Sequence, residues 1–537
     1  MTDGGEALVE GRSTEWLAAA ALALGADAVT GLSDAEQRLI AGALPHLQAR
    51  DVAALRTAIR DGRDPLGTCF CALRSPRERR LLGATYTPAA IVSAMLDWSA
   101  DVVQPARVVD PGAGSGRFSV AAGLRFAETR IVAIEVDPLA ALIARANLAA
   151  AGLARRSTVI LSDYRAVALD RVAGPTLYLG NPPYVRHHQI DPVWKAWLTS
   201  TATVRGLAAS QLAGLHVHFF LATLEHASPG DVGVFITSSE WLDTNYGDLV
   251  RRLLLDDLGG RSIHMIEPAA LPFEDATTTG AITCFEVGRR PRALRLRKVR
   301  NVGELGRLDR GRAVARDRLA EARRWSPLVR APQRIPDGHI ELGDLCRVHR
   351  GAVTGSNAVW VRAAGDAALP RSVLFRAVTR ARELFAAGPS LEIADGLKLV
   401  ADIPQDLDVL ERDERRQIER FLRIAKKHGA ADGYVARNRR SWWSVGLRAP
   451  APILATYMAR RPPAFVRNIV GARHINIAHG LYPRQELSAD LLDRLSAALR
   501  TSVTVAQGRT YAGGLTKFEP KEMERLVIPA PEQLLVG

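Results

Sequence analysis

The sequence predicts an α/β fold with a mostly parallel sheet covered by helices on both faces, on the strength of three observations. Short β-branched runs alternate with helical stretches: Arg107–Val109, Ile131–Ile134, Val159–Leu161, Thr176–Leu179 and Gly233–Ile236. Strands that alternate with helices pair in parallel, because each helix carries the chain back across the sheet. The first strand runs into a glycine-rich turn, Val108-Val-Asp-Pro-Gly-Ala-Gly-Ser-Gly116, where missing β-carbons let the backbone approach a ligand at the carboxyl ends of the strands. Finally, an acid accompanies each of the first three strands: Asp110, Glu135 and Asp163.

With 537 residues, 47% of them hydrophobic, the chain is long enough for two or three domains, each with its own core. A formal net charge of +14 favours a polyanionic partner. The most apolar early stretch, Trp16 to Ala26, is short and followed by Asp27, as expected of a helix in a folded domain and not of a membrane span or secretory signal. A cytoplasmic protein without membrane contact is expected. The four cysteines, Cys69, Cys71, Cys284 and Cys346, are too scattered for a disulfide framework, and Cys69 and Cys71 lack the second ligand pair of a metal site. No metal is called for.

Residues 1–80 read as a helical N-terminal segment, in which Ser33 caps a helix and Glu36 completes a capping box. Residues 81–290 carry the alternating pattern and form the expected catalytic domain. Residues 291–339, rich in arginine and proline, read as a linker. Residues 340–537 form a second, mixed α/β domain.

The glycine turn has the spacing of Gly112, Gly114 and Gly116 and not that of a G-x-G-x-x-G loop, and its acids select the ligand. Glu135, 19 residues after Gly116 at the end of a strand, can accept hydrogen bonds from the ribose hydroxyls of an adenosine. Asp110 would repel a pyrophosphate but suits the cationic methionine portion of S-adenosylmethionine. Asp163 is placed to accept from the adenine amino group. Together the three acids predict the class I S-adenosylmethionine-dependent methyltransferase fold, Rossmann-like with seven strands.

After the fourth strand stands Asn181-Pro182-Pro183-Tyr184. An aromatic amine is a poor nucleophile because its lone pair is delocalised into the ring. Acceptors offer a remedy: the Asn181 side-chain oxygen and the Pro182 carbonyl can draw the nitrogen toward a tetrahedral geometry. Consecutive prolines restrict the loop and leave carbonyls without neighbouring donors. Tyr184 offers a flat face for a planar base, and a base within a duplex must be flipped out to reach it.

These motifs, with Gly83-Ala-Thr-Tyr-Thr-Pro88 upstream, resemble the gamma-class amino-methyltransferases of bacterial restriction-modification systems, the TaqI-like group. The resemblance implies an S-adenosylmethionine-dependent, adenine-N6-specific DNA methyltransferase. It places Thr85 and Thr87 near the methionine end of the cofactor, Phe219 (or its neighbour Phe220, or neither if the pair is core) on the cofactor adenine, and Phe273 against the flipped base opposite Tyr184. Where the family often has a tyrosine ahead of that phenylalanine, this chain has His216.

In the C-terminal half, Leu342–Val348 followed by Arg350–Asn357, and Tyr511–Pro520 ending in Leu526–Pro529, resemble the opening and closing of the target-recognition domains of this family. Arg437, Arg439, Arg440, Arg460, Arg461 and Arg473 are expected near double-stranded DNA as a group, whereas Trp442 and Trp443 are expected in the domain core. The Asn-Pro-Pro-Tyr motif also serves enzymes that methylate a protein glutamine or an RNA base, and a non-catalytic DNA-binding specificity subunit is a further alternative. The basic C-terminal half and the intact motif favour a DNA methyltransferase. Residues 1–80 carry no convincing nuclease constellation, so cleavage would require a separate restriction endonuclease or defence-system subunit as partner.

Overall fold

A computed structural model describes residues 12–43, 47–74, 87–267, 280–329, 335–363, 365–511 and 515–536. Two compact units divide the chain, residues 1–332 and 333–537. Among the described residues no helix is long and apolar enough to cross a membrane.

Among the described residues four helices open the first unit: α1 (Thr14–Leu24), α2 (Asp34–Ala41), α3 (Ala49–Arg60) and α4 (Pro65–Leu73). The capping box expected at Ser33 and Glu36 is formed. After α5 (Ala89–Val102) the alternating pattern begins, with β1 (Arg107–Pro111), α6 (Arg117–Arg125), β2 (Arg130–Glu135), α7 (Pro138–Ala150), β3 (Ser157–Leu161) and β4 (Thr176–Gly180). It continues through α8 (Pro192–Val204), α9 (Leu215–His226), β5 (Val232–Ser238), α10 (Asp248–Leu255), β6 (Gly260–Ile266) and β7 (Gly280–Glu286). The unit ends with β8 (Ala293–Val299), β9 (Arg312–Ala315) and α11 (Arg316–Glu321).

Among the described residues the strands form one sheet of nine, in the order β3-β2-β1-β4-β5-β7-β6-β8-β9. From β3 to β5 all pairs are parallel, and β7 is inserted antiparallel between β5 and β6. The chain leaves β1 toward β2 and β3, then returns to place β4 on the other side of β1. Helices after β1 and β4 therefore diverge to opposite faces and open a crevice at the carboxyl ends of these two strands.

Two boundaries differ from the sequence reading. Residues 291–329 are not a linker, because β8 pairs parallel with β6 and β9 pairs antiparallel with β8, extending the expected seven strands to nine. Leu294 and Leu296 face inward while arginines alternate with them, and arginine density masked this two-residue period. Nor do the described residues of the N-terminal segment stand apart. Trp16, Leu17, Leu24, Leu55, Ile59 and Phe70 pack against Leu139, Leu142, Ile143 and Ala146 of α7. Thr30 adds a parallel bridge to Thr158, covering the edge of β3.

A buried ion pair fastens this segment to the sheet. Arg145 of α7 and Glu36 of α2 are both fully buried, with Nε to Oε1 at 2.6 Å. The remaining guanidinium hydrogens go to the carbonyls of Val29, Thr30, Gly31 and Val159 at 2.5–3.0 Å. Glu36 also accepts from the Ser33 backbone N–H, so one carboxylate caps α2 and neutralises Arg145.

In the second unit a five-stranded sheet runs, in spatial order, Cys346–Arg350, Ala478–Pro483, Ile453–Thr456, Phe465–Asn468 and Ser390–Leu391. A four-stranded sheet contains Leu374–Val378 and Lys398–Ala401. His339–Glu341 pairs antiparallel with Val527–Pro529, bringing the two ends of the unit together. Trp442 packs 6.1 Å from Trp360, and the Trp443 indole N–H donates to Pro404 O at 2.9 Å, consistent with the expected core role of the pair.

Replacing Arg145 with Leu leaves the Glu36 carboxylate buried and uncompensated, which should cost about 3–5 kcal/mol. Urea unfolding should show that loss, and Arg145→Leu combined with Glu36→Leu should recover part of it.

Candidate active site

The turn between β1 and α6 reverses the chain through three glycines with positive φ, Gly112 (72°), Gly114 (56°) and Gly116 (80°). Its start is pinned to β2, as the Gly112 and Ala113 N–H groups both donate to Ile134 O. A Cβ on Gly116 would lie 3.1 Å from that of Ala144 on α7, and one on Gly112 would lie 3.2 Å from Pro183. Around Gly114 the space is open, and its N–H donates to Glu135 Oε2 at 2.8 Å. Glu135 Oε1 accepts from the Val136 and Asp137 N–H groups at 2.8 and 3.0 Å. Three backbone donors thus hold a carboxylate whose remaining lone pairs face the cavity, while burial raises its pKa.

This cavity, of about 360 Å³, is lined by Thr87, Gly112, Gly114, Glu135, Asp163, Asn181, Pro183 and Phe219 among others. The sequence reading placed all eight at the site, from segments spread over 130 residues, and the fold brings them together. Its size falls within the ~300–1,000 Å³ typical of small-molecule sites. Open space at Gly114, a pre-oriented acid at Glu135 and an apolar wall at Phe219 fit the adenosine portion of S-adenosylmethionine. Phe219 lies 5.3 Å from Tyr164 at the cavity edge, whereas Phe220 packs inward against Phe235, Trp241 and Phe285. Of the two phenylalanines, Phe219 is therefore the one at the cavity.

Asn181 sits at the end of β4, and its Nδ2 donates to Thr87 Oγ1 at 3.0 Å. The Thr87 carbonyl accepts in turn from Arg117 Nη1 at 3.3 Å. The carboxamide plane is thereby set by a residue 94 positions upstream. Pro182 is buried and Tyr184 half-buried, and neither belongs to the cavity wall. The Tyr184 hydroxyl is enclosed without a hydrogen-bond partner, and burial raises its pKa. His216, where the family pattern has tyrosine, is buried, and burial lowers its pKa to about 4, so it is neutral at pH 7.

Asp110 lies behind the cavity wall. It is fully buried, does not line the cavity, and accepts from the Ser119 N–H at 3.0 Å and the Ser119 hydroxyl at 2.7 Å. Its Oδ2 turns to the first turn of α6, so it braces the glycine loop from behind, while Oδ1 is buried without a hydrogen-bond partner. Burial raises its pKa to about 7, against the hydrogen bonds from Ser119. Asp163 lines the cavity but is not an unengaged acceptor. Arg165 grips it through Nε to Oδ1 at 2.8 Å and Nη2 to Oδ2 at 2.6 Å, lies over the Trp194 ring at 4.0 Å, and reaches His218 Nδ1 at 3.1 Å. Burial, then the Arg165 charge, lowers the His218 pKa to about 3, so the ring accepts from Arg165. Thr85 and Phe273 lie outside the described residues.

Arg165 and Trp194 were missed by sequence reasoning although both line the cavity. Arg165 stands two residues after a predicted acid, which was the available signal; nothing in the sequence brings Trp194 to the same place.

The six arginines of the second unit separate by environment. Arg437, Arg440 and Arg460 are exposed, and Arg461 is exposed while lying over the Phe385 ring at 3.5 Å. Arg439 donates to the carbonyls of Val353 and Thr354, and Arg473 to those of Leu447 and Arg448. These two fasten loops, which sequence density alone does not distinguish from a binding surface.

Comparison with known proteins gives two family matches, to the Eco57I restriction-modification methylase over residues 177–269 and to the C-terminal domain of type II methyltransferase M.Eco57I over residues 334–535. The chain is 51% identical to type II methyltransferase M.XamI of Xanthomonas campestris pv. amaranthicola over 512 residues, 94% of this chain and 95% of that one. It is 22% identical to type II methyltransferase M.AccI of Acinetobacter calcoaceticus over 84% of this chain and 86% of that one. A similar fold is found in the type IIL restriction-modification enzyme MmeI, solved in complex with DNA, with a TM-score of 0.54 and 13% identity over 85% of this chain and 69% of that one.

The raised pKa of Asp110 fixes the sign of a pH effect. The folded protein holds this proton more tightly than the unfolded chain, so the associated stability is complete below pH 4 and is lost as pH rises through about 7. Relative to Asp110→Asn, the unaltered protein should lose a few kcal/mol between pH 4 and 8, measured by denaturant unfolding at each pH.

Proposed function

This chain belongs to the type II restriction-modification methyltransferases, and on that premise we propose that it methylates the N6 amino group of a flipped-out adenine in duplex DNA. Its cofactor is S-adenosylmethionine, which when bound supplies a methyl group made electrophilic by its sulfonium. The observation that carries the reading is the placement of Asn181: the residue lines the cavity that holds Glu135 and Phe219, with its Nδ2 edge tied to Thr87.

That tie turns the carbonyl edge of the carboxamide away from Thr87, toward an incoming amino group. Accepting from that group, with the Pro182 carbonyl as second acceptor, holds the nitrogen lone pair in line for transfer and leaves the proton on nitrogen until transfer is complete. Glu135 positions the ribose end. Phe219 and Trp194 provide apolar faces, and Tyr184, just beyond the cavity, provides a stacking face for the extruded base.

A DNA target is supported by the second unit, where Arg437, Arg440, Arg460 and Arg461 reach solvent on a chain of net charge +14. Similarity to M.XamI over nearly the whole chain, and not over the catalytic domain alone, favours the same assignment over an RNA base or a protein glutamine. Arg439 and Arg473 shape loops of that unit.

Asn181→Ala should lower methyl transfer to duplex DNA by about 1,000-fold or more while cofactor affinity stays within a few-fold of the unaltered protein. Labelled S-adenosylmethionine with base analysis of the product checks both the loss and the adenine assignment. Label appearing in protein or RNA alone would refute the proposal. DNA affinity should also fall steeply with salt, and Arg437→Ala with Arg440→Ala should reduce the log–log slope by about 1 for each phosphate contact removed, as read by fluorescence anisotropy across a salt series.

A further inference from the structure

The turn ahead of α4 carries a carboxylate joined to four elements. Asp64 caps α4 by accepting from the Gly67 N–H at 2.9 Å, and the same oxygen accepts from Asn147 Nδ2 of α7 at 3.1 Å. Its other oxygen accepts from the Ser115 hydroxyl of the glycine-rich turn at 2.5 Å and lies 3.6 Å from Arg117 Nη2 at the start of α6. Asn147 donates as well to Ser115 O at 2.8 Å, so Ser115 is held at both its hydroxyl and its carbonyl. Asp64 is only 8% exposed, which makes these the working partners of the charge and not a transient surface contact.

Independent evidence comes from Gly67. A Cβ there would lie 2.2 Å from Asp64 Oδ2, in the space the carboxylate needs to reach Ser115. Along α4, Gly67, Phe70 and Cys71 line the same cavity as Gly114, Glu135 and Asn181. At the far end of the helix Arg74 lies over the Phe70 ring at 4.6 Å and pairs with Asp137, whose N–H donates to Glu135. Both ends of α4 therefore terminate on the cofactor-binding elements, one at the glycine turn and the other beside the ribose acid.

We propose that the N-terminal helical segment is a working wall of the cofactor site, in which Asp64 positions the glycine-rich turn through Ser115 and Asn147 while α4 closes the cavity with Gly67, Phe70 and Cys71. Asp64 is a positioning residue and touches no cofactor atom. Docking of the segment and cofactor binding are coupled: the turn adopts its cofactor-binding shape only when the Asp64 carboxylate is seated, and a bound adenosine shields α4 from solvent. The inference rests on this cavity being the S-adenosylmethionine site.

The test uses the full-length protein and S-adenosylhomocysteine, with affinity measured by calorimetry and thiol accessibility by maleimide labelling and mass spectrometry. Cys71 is half-buried whereas Cys69, Cys284 and Cys346 are buried, so labelling of the folded protein reports on α4. Saturating S-adenosylhomocysteine should slow Cys71 labelling roughly tenfold or more, following the bound fraction. Ser115→Ala, which removes only the hydroxyl, and Gly67→Ala, which displaces the carboxylate, should each weaken binding by roughly tenfold, the loss of one charge-assisted hydrogen bond. Both bonds are also made without ligand, so the thermal midpoints of the variants should fall by roughly a few degrees, leaving each folded at the temperature of the titration. Asp64→Asn, which keeps an acceptor for Ser115, should retain more affinity than Asp64→Ala. Unchanged Cys71 labelling at demonstrated saturation, or unaltered affinity in both Ser115→Ala and Gly67→Ala, would overturn the proposal while leaving the cavity assignment standing. Failure of the unaltered protein to bind S-adenosylhomocysteine, or full affinity and protection in Glu135→Ala, would overturn the cavity assignment and this proposal with it.

Discussion

The chain must turn back between β1 and α6 without a side chain entering the space at the strand ends, and the remainder of the first unit is arranged around that requirement. Three left-handed glycines make the turn, and each has a different neighbour: Pro183 for Gly112, open cavity for Gly114, and Ala144 for Gly116. A turn of this kind has little rigidity of its own, because glycine loses more conformational entropy on ordering than other residues. Its shape is supplied from outside. Ile134 holds its start, Asp110 braces the helix that follows, and Asp64 with Asn147 holds Ser115.

Helix α7 is common to most of these supports. Its residue Ala144 packs under Gly116, Asn147 bonds to the turn, and Arg145 ties the N-terminal helices to the sheet through Glu36. Three positions within about one turn of the helix thus face three different tasks. The ion pair between Arg145 and Glu36 is a costly element, since both charges are fully buried, but each is saturated with hydrogen bonds and breaking one leaves the other stranded. Such an arrangement specifies a single docking geometry for α1 to α4, which is what a cavity wall requires.

Charge in the second unit has two uses that composition cannot separate. Arg439 and Arg473 spend their guanidinium hydrogens on loop carbonyls, and Arg473 also lies over the Phe375 ring at 4.2 Å. Arg437, Arg440 and Arg460 are exposed. The same duality is seen at the cavity of the first unit, where Arg165 neutralises Asp163 and fixes its orientation.

Local features were decided by the sequence alone. Five strands are visible as β-branched runs, the Ser33 and Glu36 capping box as a spacing, and the glycine turn, Glu135 and Asn181 as motifs whose chemistry depends on residues near in the chain. Family membership followed from the order of those motifs. Tertiary structure decided what depends on distant partners: that Asp110 faces Ser119 instead of the cavity, that Asp163 is held by an arginine lying on Trp194, and that Phe219 rather than Phe220 reaches the cavity. It also decided that arginine-rich residues 293–315 complete the sheet, because an edge strand needs only its alternate positions to be apolar. Most of all it decided the place of the N-terminal segment. Asp64 and Ser115 are 51 residues apart, and a hydrogen bond over that separation is set by how α4 packs on α7, for which no local pattern exists.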